Sequence, residues 1–199
     1  MKSTDSKLWN ILWHVLSVII VSIVIVRAYT IPVTHDEAAT VIHYAARFSP
    51  WQIMMFPDPW PNNHILNTLL TKMSIGLFGE GHLAIRLPSI FSVTLYLWAI
   101  WRLIAMWDLK KSISSVATLL AFLSLPQLLD FFSICRGYGL SSALVLLSLS
   151  FIVTAMQNSK DRHLVYAILI AILASYANFS SLVYWAALVL GVGIYLILR

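Results

Sequence analysis

Cysteine and charged side chains are scarce in this chain of 199 residues. Its one cysteine, Cys135, excludes an internal disulfide and a multi-cysteine metal cluster. Only 11% of the residues are charged, whereas 60% are hydrophobic and the mean hydropathy is +0.84. A single soluble core could not bury so much apolar surface. The composition therefore excludes an ordinary soluble domain and predicts a protein that crosses a membrane several times.

A continuous basic surface is also missing. The formal net charge is +5, but the 13 lysine and arginine residues lie mostly at the ends of apolar segments. That placement is typical of residues that set membrane topology, so the sequence does not predict nucleic acid as a partner.

Uncharged apolar stretches predict six transmembrane helices, and thus an all-α polytopic fold in a single membrane domain over residues 1–199. The predicted spans are residues 8–26, 87–101, 112–129, 137–159, 164–176 and 182–198. The last two are separated because the uncharged run from 163 to 198 is too long for one helix and is most polar at residues 177–181.

The distribution of positive charge predicts that the amino terminus is cytoplasmic. If the spans alternate in direction, eight lysine and arginine residues lie on the amino-terminal side of the membrane and five on the other. Three of those five lie within one long loop, where they count for less in the positive-inside rule. That loop, residues 32–86, is therefore predicted to lie outside.

Short interfacial helices are predicted within this outer loop. Small and apolar side chains recur at helical spacing over residues 35–48, with Thr34 as an amino-terminal cap and Glu37 three residues further on. A second helix is predicted at residues 62–77, after Pro61.

Two adjacent carboxylates, Asp36 and Glu37, stand just past the first predicted span. Ionisable groups close to a hydrocarbon core are costly unless they are paired, solvated or used, which favours a functional site. The alternative is that both acids only complement the helix dipole in a first turn. Asp130, at the predicted outer end of span three, could act with Asp36 as base and metal ligand or as base and orienting group. The alternative for Asp130 is a salt bridge to Arg136 that pins a turn.

The order of these features resembles the bacterial branch of the multi-spanning, lipid-linked-sugar glycosyltransferases, which includes the protein mannosyltransferases and the aminoarabinose transferases of lipid A. The resemblance extends over nearly the whole chain. Its pieces are Asp36-Glu37-Ala38, Pro61-Asn62-Asn63-His64-Ile65-Leu66, Leu77-Phe78-Gly79, Arg86-Leu87-Pro88-Ser89 and Arg136-Gly137-Tyr138.

The resemblance implies an inverting glycosyltransferase that moves a sugar from a polyprenyl-phosphate donor to a lipid, glycan or protein acceptor. The reaction would occur on the outer, periplasmic face of the bacterial inner membrane. Asp36 would be the general base and Glu37 would support it. Asp130 would help to hold the acceptor or a divalent metal ion such as Mg²⁺ or Mn²⁺, and Arg136 would approach the donor phosphate. The substrate-binding residues would be Asn63, His64, Arg136, Tyr138 and Asn178.

The chain departs from this family at several positions. Many relatives have Lys-Pro-Pro or His-Pro-Pro where this chain has Asn63-His64-Ile65, so His64 is either an approximate substitute for a phosphate-binding lysine or a structural residue. Relatives often show Tyr-Thr-His-Tyr around the outer turn that in this chain contains Asn178. Any role of the relatives' histidine would here be lost or pass to Asn178. Arg86 is interpreted as structural, and Pro88 is expected in the first turn of span two, where proline is tolerated.

The length of the chain is a further departure. Enzymes of this kind usually continue through more spans, so the chain is expected to be incomplete at its carboxyl end. Two other classes stay open. One is a non-catalytic or truncated membrane scaffold, and the other is a transporter, which is disfavoured because the formal charges collect at the ends of the spans.

Overall fold

The structure is a computed structural model that describes residues 2–56, 60, 63–106, 116–117, 120–121, 124, 126–158 and 160–198. Regular secondary structure in these residues is helical. The α-helices are α1 (Lys2–Thr30), α2 (His35–Ala39), α3 (Pro50–Met54), α4 (Ile65–Phe78), α5 (His82–Met106), α6 (Pro126–Ser133), α7 (Gly137–Asn158), α8 (Arg162–Ala177) and α9 (Leu182–Leu198). A π-helix (Thr40–Ala45) follows α2, and a 3-10 helix (Phe179–Ser181) precedes α9.

Four helical segments among the described residues are long and apolar enough to cross a membrane: Leu8–Thr30, His82–Met106, Gly137–Asn158 and Phe179–Leu198. They correspond to four of the six predicted spans, and the protein is a helical membrane protein. The predicted span at 164–176 forms α8, which is apolar but has only 16 residues. Half of the predicted span at 112–129 lies outside the described residues.

Helix α5 lies at the centre of the helix bundle and packs against α1, α4, α6 and α7. It runs parallel to α7, because Ser89 near its start contacts Arg136 and Arg102 near its end contacts Ser150 and Thr154. The main apolar core lies between these helices and α1, and it includes Val24, Val93, Ile100, Phe132 and Ala143, each 0% exposed.

Helix α8 runs antiparallel to α7. The Ser141 hydroxyl donates to the carbonyl of Ala174 and the Ser148 hydroxyl donates to that of Ala167, at 3.0 and 2.8 Å. The end of α1, the start of α5, the start of α7 and the end of α8 therefore meet at one end of the bundle. We call this the loop end, because the long loop after α1 packs there.

The first loop helix starts where the sequence predicts but does not continue as an α-helix to residue 48. Its amino terminus is closed by a capping box, in which the Thr34 hydroxyl accepts from Glu37 N and the Glu37 carboxylate accepts from Thr34 N. From Thr40 to Ala45 the backbone is π-helical. The Lys72 ammonium of α4 donates to the last carbonyl of this segment, that of Ala45, at 2.6 Å.

The prediction that Pro88 lies in the first turn of span two is wrong. Helix α5 begins at His82, so Pro88 lies inside the helix and not in its first turn. A proline there leaves the carbonyl four residues earlier, that of Ala84, without its helical donor. The Ser74 hydroxyl of α4 donates to that carbonyl at 2.6 Å. The neighbouring helix thus satisfies the group that Pro88 cannot.

Candidate active site at the loop end

Arg86 and Glu37 form a fully buried ion pair at the loop end, and both side chains are 0% exposed. Arg86 Nε and Nη2 donate to the two carboxylate oxygens at 2.7 and 2.8 Å. The other guanidinium hydrogens go to the carbonyls of Ala28, Ile31 and Pro32, at 2.7, 2.8 and 3.1 Å. Arg86 thus uses all five of its donors to join the end of α1 and the start of the loop to α5.

Glu37 extends this network to the start of α7, because its Oε1 accepts from the backbone N–H of Cys135 at 2.6 Å. Burial alone would raise the pKa of Glu37, but hydrogen bonds from Arg86, Thr34 and Cys135 hold the pKa below its ordinary value. The carboxylate is ionised and surrounded by donors. It is therefore suited to fixing the loop and poorly suited to accepting a proton from a substrate.

The neighbouring acid, Asp36, faces a different environment. Its side chain is 54% exposed, and its Oδ2 lies 3.1 Å from Nη1 of Arg136, whose side chain is only 8% exposed. The exposed His35 ring lies 3.7 Å from the other carboxylate oxygen. Helix α2 therefore directs one acid into the protein and holds the other at an accessible position beside a cation.

Arg136 is also in contact with Tyr138. Its Nη2 donates to the Tyr138 hydroxyl at 3.3 Å, and its guanidinium carbon lies 5.3 Å from the centre of that ring. The Tyr138 ring in turn makes an edge contact with His64, with ring centres 4.9 Å apart. The structure thus brings together Asp36, Arg136, Tyr138 and His64, which come from three separate parts of the sequence.

Asp130 is placed differently from the sequence expectations. The alternative of a salt bridge between Asp130 and Arg136 is wrong, because Asp130 pairs with Arg27 at the end of α1 and Arg136 pairs with Asp36. The side chains of Arg27 and Asp130 are 39% and 52% exposed. Asp130 is accessible, but it is held by a different arginine from the one that holds Asp36.

Asn63 and His64 lie deep beneath this surface, 1% and 4% exposed. Burial, followed by the nearby Arg136 charge, lowers the pKa of His64 to about 4. The ring is therefore neutral at physiological pH and does not replace a phosphate-binding lysine as a cation.

Gly137 allows the backbone and the His64 ring to approach each other closely. A Cβ at position 137 would overlap the Ala177 carbonyl oxygen and come within 2.9 Å of His64 Cβ and Cγ. Sequence reasoning quoted this glycine within a motif but assigned it no role. The signal that it could have used is a glycine at the first residue of a predicted apolar span.

Asn178 lies at the turn between α8 and α9, where its side-chain oxygen accepts from Ser180 N at 3.2 Å. It lines a cavity of about 400 Å³ together with Tyr138. Three serines that sequence reasoning did not single out, Ser141, Ser142 and Ser181, also line it, and the hydroxyl oxygens of Ser141 and Ser181 are 2.6 Å apart. Apolar side chains of Tyr96, Leu128, Phe131, Val145 and Leu146 complete the wall.

Carboxylates suited to a metal ion are engaged elsewhere, since Asp36 contacts Arg136 and Asp130 contacts Arg27. Within the described part of the chain, histidine, cysteine and acidic side chains do not form a cluster of three or more that could hold a metal ion. A requirement for Mg²⁺ or Mn²⁺ stays a prediction, and no step below depends on one.

Comparisons of the chain with protein families, with curated proteins and with solved structures found no match. The function is therefore argued from the site.

Proposed function

We propose that the protein is an inverting glycosyltransferase that uses a polyprenyl-phosphate sugar as donor and Asp36 as general base. The observation that carries the proposal is the contact between an accessible carboxylate and a largely buried arginine, next to a partly apolar cavity. A carboxylate suits removal of a proton, and an arginine suits a phosphate group. Small-molecule sites commonly combine apolar walls with a few polar groups of this kind.

In the proposed reaction, an acceptor hydroxyl attacks the anomeric carbon of the sugar. The new bond joins the acceptor oxygen to that carbon, the bond from the carbon to the phosphate oxygen breaks, and Asp36 takes the proton of the acceptor hydroxyl. The polyprenyl phosphate leaves with the bonding electrons and is stabilised by Arg136. Attack opposite the leaving group inverts the anomeric carbon.

The contact between Asp36 and Arg136 sets a requirement for this reaction. Asp36 Oδ2 lies 3.1 Å from Arg136 Nη1, so a donor phosphate must share or replace that contact. Replacement would release the carboxylate toward the acceptor at the moment when the donor is in place. Glu37 and Arg86 would hold α2 during this exchange, because their network lies apart from the exposed face.

The proposed setting follows from charge and hydropathy. The positive-inside rule favours a cytoplasmic amino terminus, which would place the loop end on the periplasmic side of a bacterial inner membrane. Lipid, glycan and protein hydroxyls are all candidate acceptors. Asp130 at the same end of the bundle would help to hold the acceptor.

A non-catalytic scaffold is the second candidate. The same ion pair between Asp36 and Arg136 that supports catalysis would also fasten the loop to the start of α7. The two functions differ in their response to substitution, because a scaffold needs the contact whereas an enzyme needs the chemistry of each group.

The proposal is tested with the purified protein in proteoliposomes that contain labelled undecaprenyl-phosphate hexose or pentose and extracted envelope acceptors. We expect transfer of label by the wild-type protein. We also expect Arg136→Gln to weaken binding of undecaprenyl phosphate about tenfold or more, the size of a lost charge-assisted hydrogen bond. Arg47→Gln is the control, because Arg47 is an exposed arginine of the outer loop, apart from the contact between Asp36 and Arg136. Unchanged phosphate binding by the Arg136 variant would argue for the scaffold.

A further inference from the structure

Three buried polar atoms near the start of α4 have no hydrogen-bond partner among the described residues. They are Asn63 Nδ2, His64 Nε2 and Asn67 Oδ1, and the three residues are 1%, 4% and 0% exposed. Buried polar atoms are nearly always paired in native proteins, because leaving them unpaired is costly. A group of them within five residues indicates a place where a bound molecule supplies the missing partners.

The hydrogen-bonding character of His64 follows from its other contact. The ring interacts with the Ala177 backbone, and since Nε2 has no partner, we assign this hydrogen bond to Nδ1. The Ala177 carbonyl is one of the last in α8 and can only accept, so Nδ1 carries the hydrogen. In a neutral imidazole the remaining nitrogen, Nε2, is then an acceptor. The low pKa of His64, about 4, agrees with the neutral ring.

Asn63 offers the complementary group. Its Oδ1 accepts from the Thr68 hydroxyl at 3.4 Å, while the amide nitrogen has no partner and can donate. Adjacent residues thus present one unused donor and one unused acceptor. A hydroxyl group can use both, because it donates one hydrogen and accepts through its oxygen. The oxygens of a phosphodiester only accept, and the lone pair of Nε2 would repel them.

Tyr138 relates these groups to the candidate active site. Its ring contacts His64 and also lines the cavity that contains Asn178. The charges of Arg136 and Asp36 both act on the His64 ring. The Tyr138 side chain thus lies between the His64 ring and the cavity wall that it helps to form.

We propose that His64 Nε2 and Asn63 Nδ2 form a subsite that binds a substrate hydroxyl group and takes no part in binding phosphate. This inference rests on the proposed glycosyltransferase function. The hydroxyl belongs either to the donor sugar or to the acceptor, and the two sources separate in the assay below. Gly137 is a positioning residue for this subsite, because any side chain there would displace Ala177 and His64.

The test compares His64→Leu, which removes the acceptor, with His64→Gln, which retains an acceptor oxygen. Binding is measured in proteoliposomes with two probes: undecaprenyl phosphate alone and undecaprenyl phosphate carrying a sugar. A third measurement is the KM for the acceptor. We expect His64→Leu to bind undecaprenyl phosphate as the wild type does and to lose about tenfold either in affinity for the sugar-bearing lipid or in acceptor KM. We expect His64→Gln to lose less.

A loss of affinity for the sugar-bearing lipid identifies the donor sugar as the source, and a raised acceptor KM identifies the acceptor. Equal weakening of undecaprenyl phosphate binding in both variants would overturn the hydroxyl assignment in favour of a phosphate contact. Wild-type affinity and KM in His64→Leu would overturn it as well, leaving a structural histidine. Absence of transfer by the wild-type protein would instead remove the proposed function, and this inference with it.

Discussion

Removing the guanidinium of Arg86 should destabilise the protein more than any other single change at the loop end. The substitution Arg86→Met keeps most of the side-chain length but leaves the Glu37 carboxylate buried without its counter-ion. Glu37 would retain only the backbone donors of Thr34 and Cys135. Three carbonyls at the end of α1 and in the following turn would lose their donor as well.

The magnitude follows from the complete burial of the pair. Breaking a buried, hydrogen-bonded ion pair by removing one partner costs about 3–5 kcal/mol. Arg86→Lys should cost less, about 2–3 kcal/mol, because lysine keeps the charge but has three donors in place of five and cannot bind the carboxylate through two parallel hydrogen bonds. The double substitution of Arg86 and Glu37 to methionine should cost less than the sum of the two single changes, because no buried charge is left unpaired.

The assay is equilibrium unfolding of the purified variants in mixed micelles, with thermal unfolding as a second measure. Arg47→Met is the matched control, because Arg47 is exposed and contacts only the face of Phe48 in the interactions described. We expect that control to lie within about 0.5 kcal/mol of the wild type. If Arg86→Met were as stable as Arg47→Met, the reasoning about the buried pair would be refuted.

Three further predictions concern the same region. Gly137→Ala should lower the unfolding free energy by about 1–3 kcal/mol, because the new Cβ overlaps the Ala177 carbonyl and crowds His64. Gly193→Ala is the control, since a Cβ there meets nothing within 4 Å, and it should not lower the unfolding free energy in the same micelles. The wild type should lose about 2 kcal/mol of unfolding free energy between pH 7 and pH 5, because an unfolded histidine takes up a proton below about pH 6.5 while folded His64, with a pKa of about 4, does not. In His64→Gln this part of the pH dependence should be absent, and its persistence would contradict the pKa argument. Asp130→Asn should change the unfolding free energy by less than about 1 kcal/mol, because the ion pair of Asp130 with Arg27 is exposed. If Asp130 holds the acceptor, the same substitution should slow sugar transfer at least tenfold. Unaltered transfer would remove Asp130 from the site.

Much of the fold was predictable because hydropathy is a local property. The helical segments Leu8–Thr30, Gly137–Asn158 and Phe179–Leu198 need only apolar runs of sufficient length, and the cap at Thr34 needs only the spacing to Glu37. The start of α5 was not predictable in this way. A helix with Pro88 in its interior needs the Ser74 hydroxyl to bind the carbonyl that Pro88 leaves without a donor. No local sequence pattern predicts that contact.

The site was predictable in its residues and less so in its contacts. The sequence nominated Asp36, Glu37 and Arg136, but it paired Arg136 with Asp130 as an alternative, six residues away along the chain. The observed partner, Asp36, is one hundred residues distant and is brought close because α2 contacts Cys135 and Arg136, just before α7. Likewise, the charge of His64 depends on burial beneath Gly137 and Ala177, which a sequence without a structure does not reveal.

The central claim is that the Asp36 carboxylate removes the proton of the acceptor. The most direct measurement is sugar transfer in proteoliposomes by Asp36→Asn, compared with Glu80→Gln, which neutralises an exposed acid elsewhere in the same loop. We expect Asp36→Asn to insert and fold as the wild type does, to bind undecaprenyl phosphate, and to lose transfer by a factor of about 10² or more, the usual contribution of a general base. Glu80→Gln should transfer normally. Transfer by Asp36→Asn at the wild-type rate would contradict the account.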